Sequence, residues 1–326
     1  MLENFVNIGV LSVVSIKCYL LFYKHRVDLI KIIAKLEEFF PKSGIDQKTF
    51  NIEKHRNKIK KFGSIINGIY LSMVIDFILI PVMYKLYGWI SSYQVDWVPV
   101  HTILFPFDQK SPFVFWSLHF LYVWTASANL LTFNVTDLFF ASMTNVLSME
   151  FKILAQIIGD IDLNDDEKTE ESAIKELKTF VDVHEEFNQI ALELDNIFAF
   201  LLFVNVFASI SFLCVYVFLF FFGISYYLLT KYFVCFIGVF IQVYVYCYFG
   251  DRLAESSNGV ANGVYNSAWY KASPKYRKMA MMIMKRAQRE QKIRAWKFAD
   301  INLNTFYWII TTAYSYYSFL VGVYEV

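Results

Sequence analysis

The chain has 326 residues, 57% of them apolar and 19% aromatic, with 18% charged, a net charge of +1 and a mean hydropathy of +0.41. A soluble domain is about 45–50% apolar and about 25% charged, so this composition excludes intrinsic disorder, a collagen-like repeat and a disulfide scaffold. It points to an all-α, polytopic membrane bundle, because aromatic surface on this scale must be covered by lipid or protein.

Six stretches meet the roughly 20-residue length that crosses the hydrocarbon layer: 5–23, 62–87, 113–135, 197–222, 226–249 and 301–324. The first has no basic residue ahead of it and no small-residue cleavage site after it, so it is expected to stay in the mature protein rather than act as a signal peptide. The third runs on, with increasing polarity, to about Ile158 and is read as a helix continuing into the cytosol. Gly223-Ile224-Ser225 predicts a tight hairpin between the fourth and fifth spans. Regions 136–196 and 250–300 are expected to be cytosolic and helical.

Lysine and arginine orient the bundle. There are 11 between Lys24 and Lys61 and 11 more between Arg252 and Lys297, but only two from Lys85 to Lys110. Basic residues near span ends are retained inside, and four spans separate the two blocks, so both are expected in the cytosol. The 85–110 loop, the hairpin, the C-terminus and the N-terminus then face outside. The loop from Ser91 to Pro99, with Pro106 and Pro112, is expected to lie over the bundle mouth. The acid-rich 160–195 segment reads as solvated chain leading into a helix, or as a cation-attracting surface near a channel exit.

Catalytic and cofactor chemistry is not expected. Cys18, Cys214, Cys235 and Cys247 show no CxxC spacing, and the five histidines form no i,i+4 pair. His184-Glu185-Glu186 lacks the second histidine of a metalloprotease motif. Basic residues flank spans, where topology explains them, so no nucleic-acid partner is expected. Of the charged residues inside spans, Asp76 is read as a pairing, ligand or interhelical hydrogen-bonding group, and Lys17 as snorkelling from an inner end. Asn134-Val135-Thr136 matches a glycosylation sequon but sits at the membrane, which discounts it.

The C-terminal third carries an ordered set of residues: Gln242 to Cys247, Gly250, Leu253, Glu255-Ser256-Ser257, Tyr265 to Tyr270, Tyr276-Arg277-Lys278, Met284 to Arg289, Leu303 to Phe306, and Ala313 to Tyr317. In this order the chain resembles the insect odorant receptor family. His184 with 187–214 resembles the helix entering that family's fifth span, and Lys17 with 29–40 the end of its second. The family's first span therefore has no counterpart here. Its proline after the Ala-Gln pair is replaced by Arg289-Glu290-Gln291-Lys292. The gustatory signature is not matched, since the corresponding place reads Ala313-Tyr314 and Phe319-Leu320.

The resemblance implies a ligand-gated cation channel in the plasma membrane of sensory neurons. Such a channel is a tetramer, with the shared odorant receptor coreceptor or of identical subunits, in contact with membrane lipid. It implies a pore along the last helix, an assembly anchor at the cytosolic helix ends and a volatile ligand in the outer half of the bundle. On the last span Ser315, Phe319 and Gly322 share one helical stripe, so a Phe319 ring could close a pore by dewetting and Gly322 could form a constriction beyond it. The alternative is that these small residues serve helix packing. The expected ligand set is Phe77, Pro81 and Tyr84 on the second span, Phe120, Trp124 and Ser127 on the third, and Tyr232 and Phe236 on the fifth. The expected assembly contacts are Tyr265, Trp269, Leu303 and Phe306.

The rival readings are a G-protein-coupled-type chemoreceptor, a transporter and a truncated, non-functional receptor. The first would carry an Asp/Glu-Arg-Tyr triplet, which does not occur; the second would show internal symmetry and broken spans, whereas Pro81 alone interrupts one.

Overall fold

A computed structural model describes residues 2–41, 43, 49–90, 111–160, 170–221 and 226–324. The expected 91–99 loop, the 223–225 hairpin and the acidic stretch 161–169 lie outside the described residues. The helices are α1 (Leu2–Cys18), α2 (Arg26–Phe39), α3 (Ile52–Ile90), α4 (Pro112–Gly159), α5 (Glu170–Phe221), α6 (Tyr226–Asn266), α7 (Pro274–Ala287) and α8 (Leu303–Tyr324). A π-helical turn, Tyr19–Lys24, carries α1 on toward α2. Backbone polar groups in hydrocarbon must be satisfied within the segment, which is why apolar runs of this length fold as helices.

Among the described residues five helices are long and apolar enough to cross a membrane: Val6–Lys24, Ile52–Ile90, Phe113–Gly159, Glu170–Leu219 and Leu229–Asn266. The sixth expected span is α8. Its 22 residues rise about 33 Å, sufficient to cross, but Tyr307, Tyr314, Tyr316, Tyr317 and its serines and threonines keep its mean hydropathy below that of the five.

Helices α4 and α5 contain 48 and 52 residues, about 70–80 Å each and more than twice the hydrocarbon thickness. The stretch of α4 beyond residue 135 and the stretch of α5 before residue 197 meet α2, the end of α6, α7 and the start of α8. That region holds the main core, including Ile32, Phe151, Leu177, Leu194, Phe249 and Ile283, all buried. Two glycines permit the closest backbone approaches. A Cβ at Gly250 would lie 2.2 Å from the carbonyl oxygen of Ile301, and one at Gly263 would lie 2.3 Å from that of Ala155.

Between α7 and α8 the chain forms a hairpin that the helical reading of 250–300 did not anticipate. Strands β1 (Arg294–Ala295) and β2 (Ala299–Asp300) pair antiparallel, and Trp296 takes a left-handed φ of 54° to make the turn. Buried Asp195 of α5 anchors it, accepting from the Arg294 backbone N–H at 2.7 Å and from the guanidinium at 3.0 and 2.5 Å. Asn302 then caps α8 by accepting from the Thr305 backbone N–H at 2.9 Å.

Two further titratable groups, Glu150 and His184, are buried along α4 and α5. Glu150 lies about 22 Å along α4 beyond residue 135. Its Oε1 has no hydrogen-bond partner, and burial raises its carboxyl from 4.5 to about 8. His184 of α5 is lowered from 6.5 to about 4 by burial, assisted by the Arg286 charge. Their contributions run in opposite directions. The native state keeps a proton on Glu150 that the unfolded chain releases, so stability falls as pH rises from 4.5 to 8. Folded His184 refuses a proton that the unfolded chain accepts, so stability falls as pH drops from 6.5 to 4. Glu150→Gln is expected to stabilise detergent-solubilised receptor by on the order of 3 kcal/mol at pH 7 and to flatten its melting temperature between pH 6.5 and 8. An unchanged slope over that interval would mean that the carboxyl ionises without cost.

Candidate ligand cavity and its polar floor

Lysine 17 does not snorkel. Only 1% of its surface is exposed, and its Nζ donates to Asp137 Oδ1 at 2.6 Å and lies 4.2 Å from the centre of the Phe133 ring. The reason is the carboxylate: an ion pair with further donors offsets the desolvation that an unpaired ammonium would suffer. Tyr246 donates its hydroxyl to Oδ1 at 2.5 Å, while Tyr70 and the Gln242 amide donate to Oδ2 at 3.0 and 2.6 Å. Four helices, α1, α3, α4 and α6, are thus joined through one side chain of α4.

Above this cluster lies a cavity of about 310 Å³. Its walls come from α1 (Val6, Val10), α3 (Met73, Phe77), α4, α5 (Phe212, Tyr216) and α6 (Tyr232, Val239), with Tyr70, Phe133 and Gln242 at the floor. Most of the lining is apolar. Asn7, Thr125, Asn129 and Lys231 add a few polar groups, the arrangement expected of a site that orients a small molecule. The α4 residues are Tyr122, Thr125, Ala126, Asn129, Leu130 and Phe133, spaced as one helical face.

Of the eight expected ligand residues, Phe77 and Tyr232 line the cavity. Phe120 and Trp124 are not among the lining residues: they are 66% and 67% exposed on the neighbouring face of α4, where they stack on each other with centroids 6.5 Å apart. Lipid is as apolar as a protein core, so large aromatics on a span point outward without cost. Ser127 spends its hydroxyl on the Val123 carbonyl at 2.7 Å, Pro81 is buried away from the cavity, and Phe236 packs against Phe240. The Tyr84 side chain lies outside the described residues. The signal that would have found the inward face of α4 is polarity: Thr125 and Asn129 lie one turn apart in an apolar span. Asp137, the centre of the cluster, is a further acid near a span end that hydropathy alone does not single out.

On α8, Ile309 and Ala313 are buried against the subunit. Ser315, Phe319 and Gly322 lie on the exposed side; a Cβ at Gly322 would meet nothing within 4 Å. Of the assembly set, Tyr265 and Leu303 are exposed. Trp269 is half-buried against the main core, and Phe306 meets Phe240 and Tyr244 edge-on at 5.2 and 5.6 Å. Asp76 is half-buried and outside the cavity lining.

Comparison with known proteins agrees with this architecture. The profile of the 7tm odorant receptor family matches residues 1–314. The chain is 28% identical over 310 residues to the candidate odorant receptor 92a of Drosophila melanogaster, covering 91% of this chain and 72% of that one. It is 23% identical over 322 residues to odorant receptor 85b of the same species, covering 97% and 81%. Among solved structures, the insect olfactory receptor OR5 from Machilis hrabei in complex with eugenol superposes with a TM-score of 0.78 at 15% identity, covering 99% of this chain and 82% of that one.

Proposed function

The chain belongs to the 7tm odorant receptor family, is a multi-pass membrane receptor and not an enzyme, and from that premise we propose that it is a channel subunit that binds a small volatile ligand in the outer-half cavity and opens a cation pore along α8. The observation that carries this reading is the cavity itself. At about 310 Å³, bounded by five helices and dominated by aromatic and aliphatic side chains, it falls within the size range of small-molecule sites. A receptor of the same fold holds eugenol, which supports placing this chain's ligand in the class of small organic molecules.

The subunit acts within a tetramer, with the odorant receptor coreceptor or with copies of itself, in the plasma membrane of sensory neurons and with its C-terminus outside. Tyr265 and Leu303 meet neighbouring subunits, with Trp269 and Phe306 shaping that surface from within. The face of α8 bearing Ser315, Phe319 and Gly322 is not covered within the subunit, and in a tetramer it meets its counterparts around the central axis. A ring of Phe319 side chains excludes water, and hence ions, until the helices move apart.

Whole-cell recording with the coreceptor tests both halves of this proposal. Phe77→Ala and Tyr232→Ala should each weaken potency roughly 10- to 200-fold, while Phe120→Ala and Trp124→Ala leave the response intact. Phe319→Ser should raise current in the absence of ligand, and Gly322→Glu should alter cation selectivity. Equal dose–response curves for cavity-lining and outward-facing variants would remove the cavity from ligand recognition. Unchanged basal current and selectivity in receptors that reach the surface would remove α8 from the pore.

A further inference from the structure

The polar floor makes a chemical demand on whatever occupies the cavity. Asp137 is an acceptor only, and its two oxygens offer about four lone-pair positions. Lys17 and Tyr246 fill those of Oδ1, and Tyr70 and Gln242 those of Oδ2. The carboxylate therefore has no capacity left for a ligand.

The same bonds decide what the neighbouring groups present to the cavity. Tyr70 has one O–H, and it is spent on Asp137; its oxygen lone pairs remain. The Gln242 amide must turn its nitrogen toward the carboxylate, because its oxygen would repel it, so the carbonyl Oε1 with two lone pairs is left over beside one N–H. Thr125, one wall above, donates its hydroxyl to the Leu121 and Tyr122 carbonyls at 2.9 and 3.0 Å and likewise keeps only its acceptor side. Tyr70, Gln242 and Thr125 all line the cavity. Tyr70, Gln242 and Thr125 thus present more acceptor positions than donors, while the Asn129 amide between Thr125 and the floor adds both kinds. Lys231, the strong donor of the lining, stands 11 residues farther out along α6, about 16 Å by helical rise.

Resting on the proposed role of the cavity, we infer that this receptor selects volatiles bearing a hydroxyl donor, such as small alcohols and phenols, over ethers and esters of the same carbon skeleton, with the hydroxyl seated on Gln242 Oε1 and Tyr70. An ether seated on Tyr70 and Gln242 finds one N–H and several unanswered lone pairs there, and it has displaced water from them. Buried acceptors without a donor discriminate strongly, as sites built to bind a hydroxyl do.

The test uses matched pairs on the receptor co-expressed with the coreceptor: 1-hexanol against its methyl ether, and 2-phenylethanol against its methyl ether. Each alcohol should be roughly ten-fold or more as potent as its ether. Gln242→Leu, which keeps bulk but removes the carbonyl, should shrink that ratio to about two-fold or less chiefly by weakening the alcohol. Tyr70→Phe provides a second variant with a smaller shape change, and surface labelling of both separates a folding defect from a recognition defect. Ethers as potent as alcohols in the wild-type receptor would overturn the inference while leaving the cavity as the binding site. An alcohol-to-ether ratio that stays at its wild-type value in both Gln242→Leu and Tyr70→Phe, in receptors that reach the surface, would overturn it as well. Indifference of all responses to Phe77, Tyr232, Gln242 and Tyr70 variants would remove the proposed cavity function, and the inference with it.

Discussion

Asp137→Leu is expected to strip the receptor from the cell surface, with surface labelling falling ten-fold or more. The substitution leaves the Lys17 ammonium, which is almost fully buried, without its counter-charge. It also orphans donors from Tyr70, Tyr246 and Gln242. Removing one member of a buried ion pair typically costs about 3–5 kcal/mol, a large fraction of the stability of any single domain. The informative comparison is the double variant. Lys17→Met with Asp137→Leu removes both charges and should recover a substantial part of the lost expression, with a favourable coupling of up to about 3 kcal/mol in the thermal stability of solubilised receptor. A double variant no better than the sum of its parts would show that the pair is not what ties α1 to α4. Near-wild-type surface levels for Asp137→Leu alone would mean that Lys17 can reach the interface.

Gly263→Ala is the second substitution expected to have a large effect, despite adding a single methyl group. The new Cβ would sit 2.3 Å from the carbonyl oxygen of Ala155 and 2.9 Å from that residue's Cα and carbonyl carbon. Those atoms are helical backbone and cannot rotate aside, so α6 must withdraw from α4 where Val260, Val264, Leu154 and Ile158 interlock in the core. Overpacking of this kind costs about 1–3 kcal/mol, and it falls in the main core that supports the proposed subunit contacts. Gly259 is four residues earlier on the same helix and has nothing within 4 Å of a built Cβ. Gly259→Ala should therefore be neutral or stabilise by about 0.5–1 kcal/mol, through lower backbone entropy in the unfolded chain. The melting temperature should fall in Gly263→Ala and hold or rise in Gly259→Ala; equal shifts would refute a specific close approach at Gly263.

These two sites differ in how far they could be read in advance. Composition and span length are properties of local sequence, because a segment in hydrocarbon must satisfy its own backbone and so must be helical whatever surrounds it. The helical bundle was legible for that reason, as was the continuation of the third apolar stretch as one helix to about Ile158. The ordered residues of the C-terminal third, from Gln242 to Tyr317, were likewise legible as a family resemblance, and the comparison over residues 1–314 bears that resemblance out.

What the tertiary structure alone decided is which face of each helix turns inward and which distant residues meet. In water an apolar stripe marks the buried face, but in lipid that rule loses its force. Phe120 and Trp124 are content on the outside, while Thr125 and Asn129 face the cavity. Asp137 and Lys17 are 120 residues apart, and neither position names the other; only the packing of α1 against α4 converts a snorkelling lysine into half of an ion pair. The same holds for the hairpin at 294–300, fastened by Asp195 some 99 residues earlier. Gly259 and Gly263 are chemically identical in the sequence, and one of them is irreplaceable only because Ala155 lies against it. The helices follow from the solvent each segment must endure, whereas the site follows from long-range contacts that hydropathy does not encode.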